Sequence, residues 1–158
     1  MTSNNLAHYQ DTRIIRKILR TTRTVAIVGL SQNELRASHF VGYYLQRHGF
    51  RIVPVNPHER EILGEPCYPT LNAIPFPVDV VDVFRVPDAV PEIAEAAVRV
   101  GARALWLQFG VINFAGAAIA EQGGLYVVMD RCLKVEHARY LGQMQWFGLS
   151  TGVINSQR

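Results

Sequence analysis

The stretch VAIVGLS, residues 25–31, shows most clearly how this chain folds. Its β-branched apolar run breaks at Gly29 and Ser31, which is typical of a buried strand that ends in a tight turn. Later apolar runs break in the same way at small, polar or proline residues, at 51–55, 78–84, 104–107 and 125–128. The stretches between them have helical character. This alternation predicts a doubly wound α/β fold, in which helices cover both faces of a mostly parallel sheet and ligands bind at the carboxyl ends of the strands.

Composition narrows the class of protein. The 158 residues are 49% hydrophobic and 18% charged, which suits one domain with a well-buried core. No run reaches the roughly 18 apolar residues of a membrane span, and the polar start does not resemble a signal peptide. We therefore expect a cytoplasmic protein without membrane association. Cys67 and Cys132 form no CxxC pair, so we expect reduced thiols.

The amino-terminal segment is basic and predicts an amphipathic helix from Asp11 to about Thr21, laid on the sheet as an extension over residues 1–22. The main domain is expected over residues 23–142 and a tail over 143–158. The cations of the first segment are Arg13, Arg16, Lys17, Arg20 and Arg23. They form either a solvated helix face or an attractive surface for a polyanionic small molecule. Nucleic acid is disfavoured, because no aromatic-interleaved basic stripe or DNA-binding motif occurs.

The first strand end favours a phosphate group. A helix with an apolar face that includes Phe40 follows the loop, capped by Ser38, and free N–H groups at such a helix start bind phosphate oxygens. Arg36 adds a guanidinium at the same place. The alternative for Gly29 is ordinary turn chemistry. A dinucleotide is disfavoured, because the loop lacks GxGxxG and the second strand ends in Asn56 rather than an acidic residue.

The next strand ends are less specific. Asn56 and Pro57 either form a turn or present an amide and a backbone wall to an adenine or ribose, and residues 56–77 are expected to be irregular. Phe84, Arg85 and Pro87 offer an aromatic ring, a cation and a rigid helix start.

The fourth strand carries Trp106, which we expect in the core. It ends at Gln108 and Gly110, where a ligand could approach the backbone.

The fifth strand leads into Met129-Asp130-Arg131-Cys132. Cys132 near a helix start has either a thiolate favoured by the helix dipole or a purely structural place in the core. Asp130 is a candidate cap for that helix. Lys134, Glu136 and His137 are expected on an exposed face, and Cys132 with His137 does not specify a metal site.

Taken together, several strings resemble the small single-domain CoA-binding proteins: VAIVGLS, LRAS, RIVPVNP, ILGEP, VDVVDVFR, ALWLQFGV and GLYVVMDRCLKVEH. These proteins have a Rossmann-like fold similar to the CoA-binding domain of the succinate–CoA ligase alpha subunit and of acyl-CoA ligases. The resemblance runs from about Thr24 to Arg139.

The resemblance implies that this chain binds coenzyme A or an acyl-CoA across the strand ends. The implied contacts are Gly29, Leu30, Ser31, Arg36 and Ser38 for phosphates, Asn56, Pro57, Phe84, Arg85 and Pro87 for the nucleotide, and Gln108 and Gly110 nearer the pantetheine arm. The thiol would point toward residues 108–110 or 129–132. A mixed disulfide with Cys132 would make the protein a redox-responsive binder. The basic first helix either contacts the CoA 3′-phosphate or faces water.

The resemblance also implies a module without catalysis of its own, because the ligases carry the phosphorylated histidine on further domains and no histidine of this sequence matches it. The alternatives are a CoA transferase or thioesterase that uses Cys132 or Asp130, a dinucleotide-binding regulator, and a subunit of a separately encoded ligase. A homo-oligomer is left open.

Overall fold

A computed structural model describes residues 4–142, and the predicted tail over 143–158 lies outside them. Five parallel strands form the main sheet in the order β2-β1-β5-β6-β7. The bounds of its strands are β1 Thr24–Val28, β2 Arg51–Val55, β5 Val80–Val83, β6 Ala104–Leu107 and β7 Tyr126–Met129. A second sheet pairs β3 (Glu61–Ile62) with β4 (Glu65–Pro66). The predicted α/β sheet is confirmed.

The strand order reverses at β1, which pairs with β2 on one side and with β5 on the other. Val28, the last residue of β1, lies opposite Val55 and Val83, the last residues of its two neighbours. The connections that follow β1 and β5 run to opposite sides of the sheet. A crevice therefore opens between them at the carboxyl ends of the strands.

Helices cover both faces of the sheet, as the doubly wound prediction requires. The α-helices are α1 Thr12–Thr21, α2 Ala37–Arg47, α3 Val90–Arg99, α4 Phe114–Gln122 and α5 Leu133–His137. Short 3₁₀ turns occupy Leu6–Tyr9, Leu71–Ala73 and Pro87–Ala89, and a π-helical turn over Ala138–Gly142 follows α5. Buried residues of α1, α2 and α5 form one core, and those of α3 and α4 form the other. Among the described residues, no helix is long and apolar enough to cross a membrane.

The sheet interior holds one apolar anchor and one buried acid. Trp106 is completely buried, as expected, and its Nε1–H donates to the carbonyl of Arg131 at 2.8 Å. Asp82 on β5 is also fully buried, and neither carboxylate oxygen has a hydrogen-bond partner within residues 4–142. Burial alone raises the pKa of Asp82 well above its usual range. Burial therefore favours the neutral form of this acid in the folded protein.

Two expectations about α2 are wrong. The helix is preceded by Arg36, which makes no side-chain cap, and Ser38 lies inside the first turn. Phe40 is 56% exposed, because the core-facing stripe of α2 runs through Val41 and Leu45 instead. The stretch 56–77 is also more regular than expected. Leu63 and Gly64, both with positive φ, close the β3–β4 hairpin within it.

The expected exposed face of the last helix is also wrong for two of its three residues. Glu136 and His137 are each 2% exposed, because α5 packs against α2. The Tyr44 hydroxyl lies 2.8 Å from His137 Nδ1. Burial, with a smaller contribution from the nearby His48, lowers the pKa of His137. Of the three residues that were expected on the exposed face, only Lys134 is partly exposed.

Candidate functional site

A cavity of about 770 Å³ opens at the carboxyl ends of β1, β2 and β5, where the strand order reverses. The structure brings eight of the predicted site residues together in its wall: Gly29, Ser31, Arg36, Ser38, Asn56, Pro57, Phe84 and Arg85. These residues come from three separate loops. The crevice expected from strand order and the loops expected from sequence therefore coincide.

Gly29 joins the three strand ends. Its φ is +90°, and its N–H donates to the carbonyl of Val55 at 2.9 Å. A Cβ at this position would collide with the carbonyl oxygen of Phe84 and come within 3.1 Å of Arg85 Cδ. Only glycine allows β1 to turn here while the loop after β5 passes so close.

The loop between Gly29 and α2 is held by its own hydrogen bonds. Ser38 Oγ accepts from the N–H of Ser31 at 2.9 Å, and Ser31 Oγ accepts from the N–H of Asn33 at 3.0 Å. His39 Nδ1 donates to the carbonyl of Ser31 at 2.9 Å. The Ser38 side chain, expected as a cap, instead fixes the loop that precedes its helix.

The start of α2 presents unused donors to the cavity. The N–H groups of Ala37 and Ser38 have no acceptor within residues 4–142, and both residues line the cavity. Free N–H groups and the helix dipole together favour an anion at such a position.

Asn56 ties the second loop to the first. Its Nδ2 donates to the carbonyl of Leu30 at 3.0 Å, while its Oδ1 accepts from the N–H of His58 at 2.8 Å. The amide of Asn56 is thus used to hold the two loops of the cavity wall together. Pro57 and His58 are exposed beside it.

The charges that line the cavity are mostly positive. Arg36, Arg85 and Arg99 contribute three guanidinium groups, and Glu92 contributes a carboxylate. All four side chains belong to exposed residues, and none forms an ion pair within the described part of the chain. Unpaired cations around a concave surface raise the local concentration of anionic ligands.

The remaining predicted site residues lie outside the cavity wall: Leu30, Pro87, Gln108, Gly110 and Cys132. Leu30 is completely buried in the core under α2. Cys132 is 8% exposed and precedes the first residue of α5 without a side-chain cap bond.

The carboxyl ends of β6 and β7 are closed by hydrogen bonds within the protein. Gln108 Oε1 accepts from the N–H of Leu133 at the start of α5, at 3.1 Å. The N–H of Gly110 donates to Asp130 Oδ1 at 2.7 Å, so Asp130 does not cap α5 as expected. Gln10 closes the same end, because its Nε2 donates to the carbonyl of Met129 at 3.1 Å and its Oε1 accepts from Arg131 at 3.0 Å.

Two parts of the cavity wall were not predicted from the sequence. Glu92, Ala96 and Arg99 line it from one face of α3, and Pro69–Asn72 lines it from the far side. The spacing of these α3 residues, four and then three positions, places them on one helical face. That spacing was a usable signal, but the residue types alone gave no reason to choose this face.

Cys67 contacts Asn56, a residue of the cavity wall, although it does not line the cavity itself. Cys67 is partly exposed, and its thiol donates to the carbonyl of Asn56 at 3.4 Å. Burial raises the pKa of Cys67, which disfavours its thiolate.

The parallel sheet, the helices on both faces and the cationic crevice at the strand reversal define a Rossmann-like domain suited to an anionic ligand. The chain belongs to the CoA binding domain family, whose sequence profile matches residues 23–138.

The chain is similar to short proteins over most of their length and to a part of a longer ligase. It is 38% identical over 124 residues to the uncharacterized protein YneT of Bacillus subtilis strain 168, covering 78% of this chain and 92% of that protein. It is 34% identical over 122 residues to acetate–CoA ligase (ADP-forming) I of Archaeoglobus fulgidus, covering 70% of this chain but 18% of the ligase. A solved structure of a hypothetical protein from Pyrococcus horikoshii OT3 superimposes with a TM-score of 0.83 at 36% identity. That match covers 90% of this chain and all of the other.

Proposed function

We propose that this protein binds coenzyme A or an acyl-CoA in the cavity at the ends of β1, β2 and β5. One observation carries the proposal: three unpaired guanidinium groups and the free N–H groups of α2 surround a single cavity. The membership of the chain in the CoA binding domain family supports CoA as the anion.

The pyrophosphate is assigned to the start of α2. Two unbonded N–H groups, the positive end of the helix dipole and the guanidinium of Arg36 provide donors of the kind that phosphate oxygens accept. Arg85 follows β5 and reaches the same wall, next to Gly29. The adenosine then lies between Pro57 and α3.

We propose binding without a reaction at Cys132 or Asp130. Cys132 is buried outside the cavity wall, and the carboxylate of Asp130 accepts the N–H of Gly110. Neither group is placed to attack a thioester held in the cavity. For the same reason we assign no redox response to Cys132.

The match to the ligase supports a second candidate role. The chain is similar to about a fifth of that enzyme, so it could hold CoA for a separately encoded ligase partner. In that case the chain alone would bind acyl-CoA and leave it intact, and acyl transfer would require the added partner.

Isothermal titration of the purified protein tests the proposal, with CoA, acetyl-CoA, NAD and ATP as ligands. We expect CoA or acetyl-CoA to bind more tightly than NAD and ATP.

Arg36→Gln should weaken CoA binding by roughly tenfold, the effect of losing a charged hydrogen bond. Arg20→Gln is the matched control, because it removes a cation on α1 outside the cavity wall. An equal loss of CoA affinity in both variants would mean that Arg36 acts only through the net charge of the protein. No CoA binding at millimolar ligand would refute the proposal.

A further inference from the structure

We propose that Arg99 binds the ribose 3′-phosphate of CoA and so makes this chain selective for CoA over ligands that lack that phosphate. The inference rests on the proposed function and adds a second anion subsite to it. Arg99 was not among the residues expected from the sequence, yet it lines the cavity.

The cavity extends far enough for two separate anion subsites. Helix α3 begins at Val90, after the carboxyl end of β5, and runs back along the sheet to Arg99. Glu92 and Arg99 both line the cavity and lie seven residues apart, or about 10 Å along the helix axis. The wall therefore continues for two helical turns away from the strand ends.

The absence of an ion pair within the described part of the chain distinguishes Arg99 from the neighbouring Arg103. Arg103, four residues later, approaches Asp79 Oδ1 at 3.8 Å and donates to the hydroxyl of Thr21 at 2.5 Å. Arg99 makes no ion pair within residues 4–142. A cation in the last turn of a helix is favoured by the dipole, but that preference does not require it to face a cavity.

The chemistry of the ligand fits the position. With the pyrophosphate at the start of α2, the ribose can lie along the part of the cavity wall that α3 and Pro69–Asn72 form, and Arg99 belongs to that part. The 3′-phosphate is a dianion, and a guanidinium can bind two of its oxygens at once. Glu92 lies two turns nearer the strand ends, so its charge is separated from that phosphate.

The basic helix α1 is the competing location. Lys17 Nζ already donates to the hydroxyl of Tyr126 at 2.8 Å, and the guanidinium of Arg16 stacks on Tyr140 at 4.9 Å from the ring centroid. Neither residue lines the cavity.

The test compares CoA with dephospho-CoA, which differs only in the 3′-phosphate, by titration calorimetry of the full chain. We expect the unmodified protein to prefer CoA by about tenfold or more. Arg99→Gln should weaken CoA binding by about that factor and leave dephospho-CoA binding unchanged. Arg99→Lys should keep part of the preference, because it retains a point charge. Arg20→Gln should keep all of it.

The outcomes separate this inference from the proposed function. If the unmodified protein binds CoA and dephospho-CoA equally, or if Arg99→Gln weakens both by the same factor, Arg99 does not bind the 3′-phosphate and CoA binding itself stands. If neither ligand binds, both the proposed function and this inference fail. Loss of the preference in Arg20→Gln but not in Arg99→Gln would move the subsite to α1.

Discussion

The two halves of the carboxyl edge of this sheet contain similar residues in opposite states. At β1, β2 and β5, guanidinium groups and N–H groups face a cavity without partners in the described chain. At β6 and β7, the polar groups of Gln108, Gly110 and Asp130 are bonded to one another or to the start of α5. Unused donors therefore distinguish the open half of the edge, at β1, β2 and β5, from the closed half, at β6 and β7.

The family resemblance predicted site residues in both halves because similar residues follow the strands of each half. A glycine and a polar residue end β1, and a similar pair ends β6. In the open half they line a ligand-sized cavity. In the closed half Gln108 bonds the N–H of Leu133, which would otherwise be buried without a partner. We expect substitutions in the open half to change ligand affinity and those in the closed half to change stability.

The largest loss of stability should come from Gly29→Ala, which disrupts the packing between the loops of the open half. Gly49→Ala is the matched control, since Gly49 has the same φ of +90° but no atom within 4 Å of an added Cβ. The control should lose about 1 kcal/mol of unfolding free energy from the positive φ alone. Gly29→Ala should lose at least about 3 kcal/mol, because the new methyl group also meets the carbonyl of Phe84. Urea denaturation measures both. Equal losses would mean that the close approach of the loop after β5 is unimportant.

A smaller effect is expected from Gln108→Ala in the closed half. The change leaves the N–H of Leu133 without its acceptor and opens space beside a buried side chain. It should lower the unfolding free energy by about 1–3 kcal/mol. CoA affinity should stay within about twofold, a shift below 0.5 kcal/mol.

The exposed Gln122 provides the control, as Gln122→Ala should change neither quantity. A Gln108→Ala variant of normal stability that loses CoA affinity would place the closed half in the ligand site.

The smallest effect concerns Asp82 on β5, the strand of the open half that pairs with β6. Asp82 lies opposite Ile27 on one side and Trp106 on the other. Because burial raises its pKa, the folded protein keeps a proton that the unfolded chain releases above about pH 4. The contribution of Asp82 to stability is therefore present at low pH and lost as pH rises toward the folded-state pKa.

Asp82→Asn removes this dependence while keeping the shape of the side chain. Chemical denaturation of both proteins from pH 4 to pH 8 should show the variant gaining stability relative to the unmodified protein as pH rises. A constant difference across that range would show that Asp82 has an ordinary pKa in the folded protein.

Strand positions were predictable from sequence because a parallel sheet needs continuous apolar runs, and β2 and β6 begin and end where expected. The loops of the open half were predictable because strand ends must meet at one edge. The place of Arg99 in the cavity wall was not predictable, because the helical face that lines a cavity depends on how α3 packs against Leu71–Ala73. The burial of His137 likewise depends on a contact between α5 and α2 that local spacing does not contain.

The first helix and the turn before it determine where this domain can be cut or fused to another protein. The family profile begins at residue 23, yet Tyr9 and Ile15 are each 1% exposed, and the Tyr9 hydroxyl donates to Glu121 on α4. A chain cut at Arg23 would leave the apolar groups around Tyr9 and the carbonyl of Met129 facing solvent. The part of the chain that packs as one unit is thus larger than the part that matches the family. A fusion partner should be joined ahead of Asn5 rather than at residue 23.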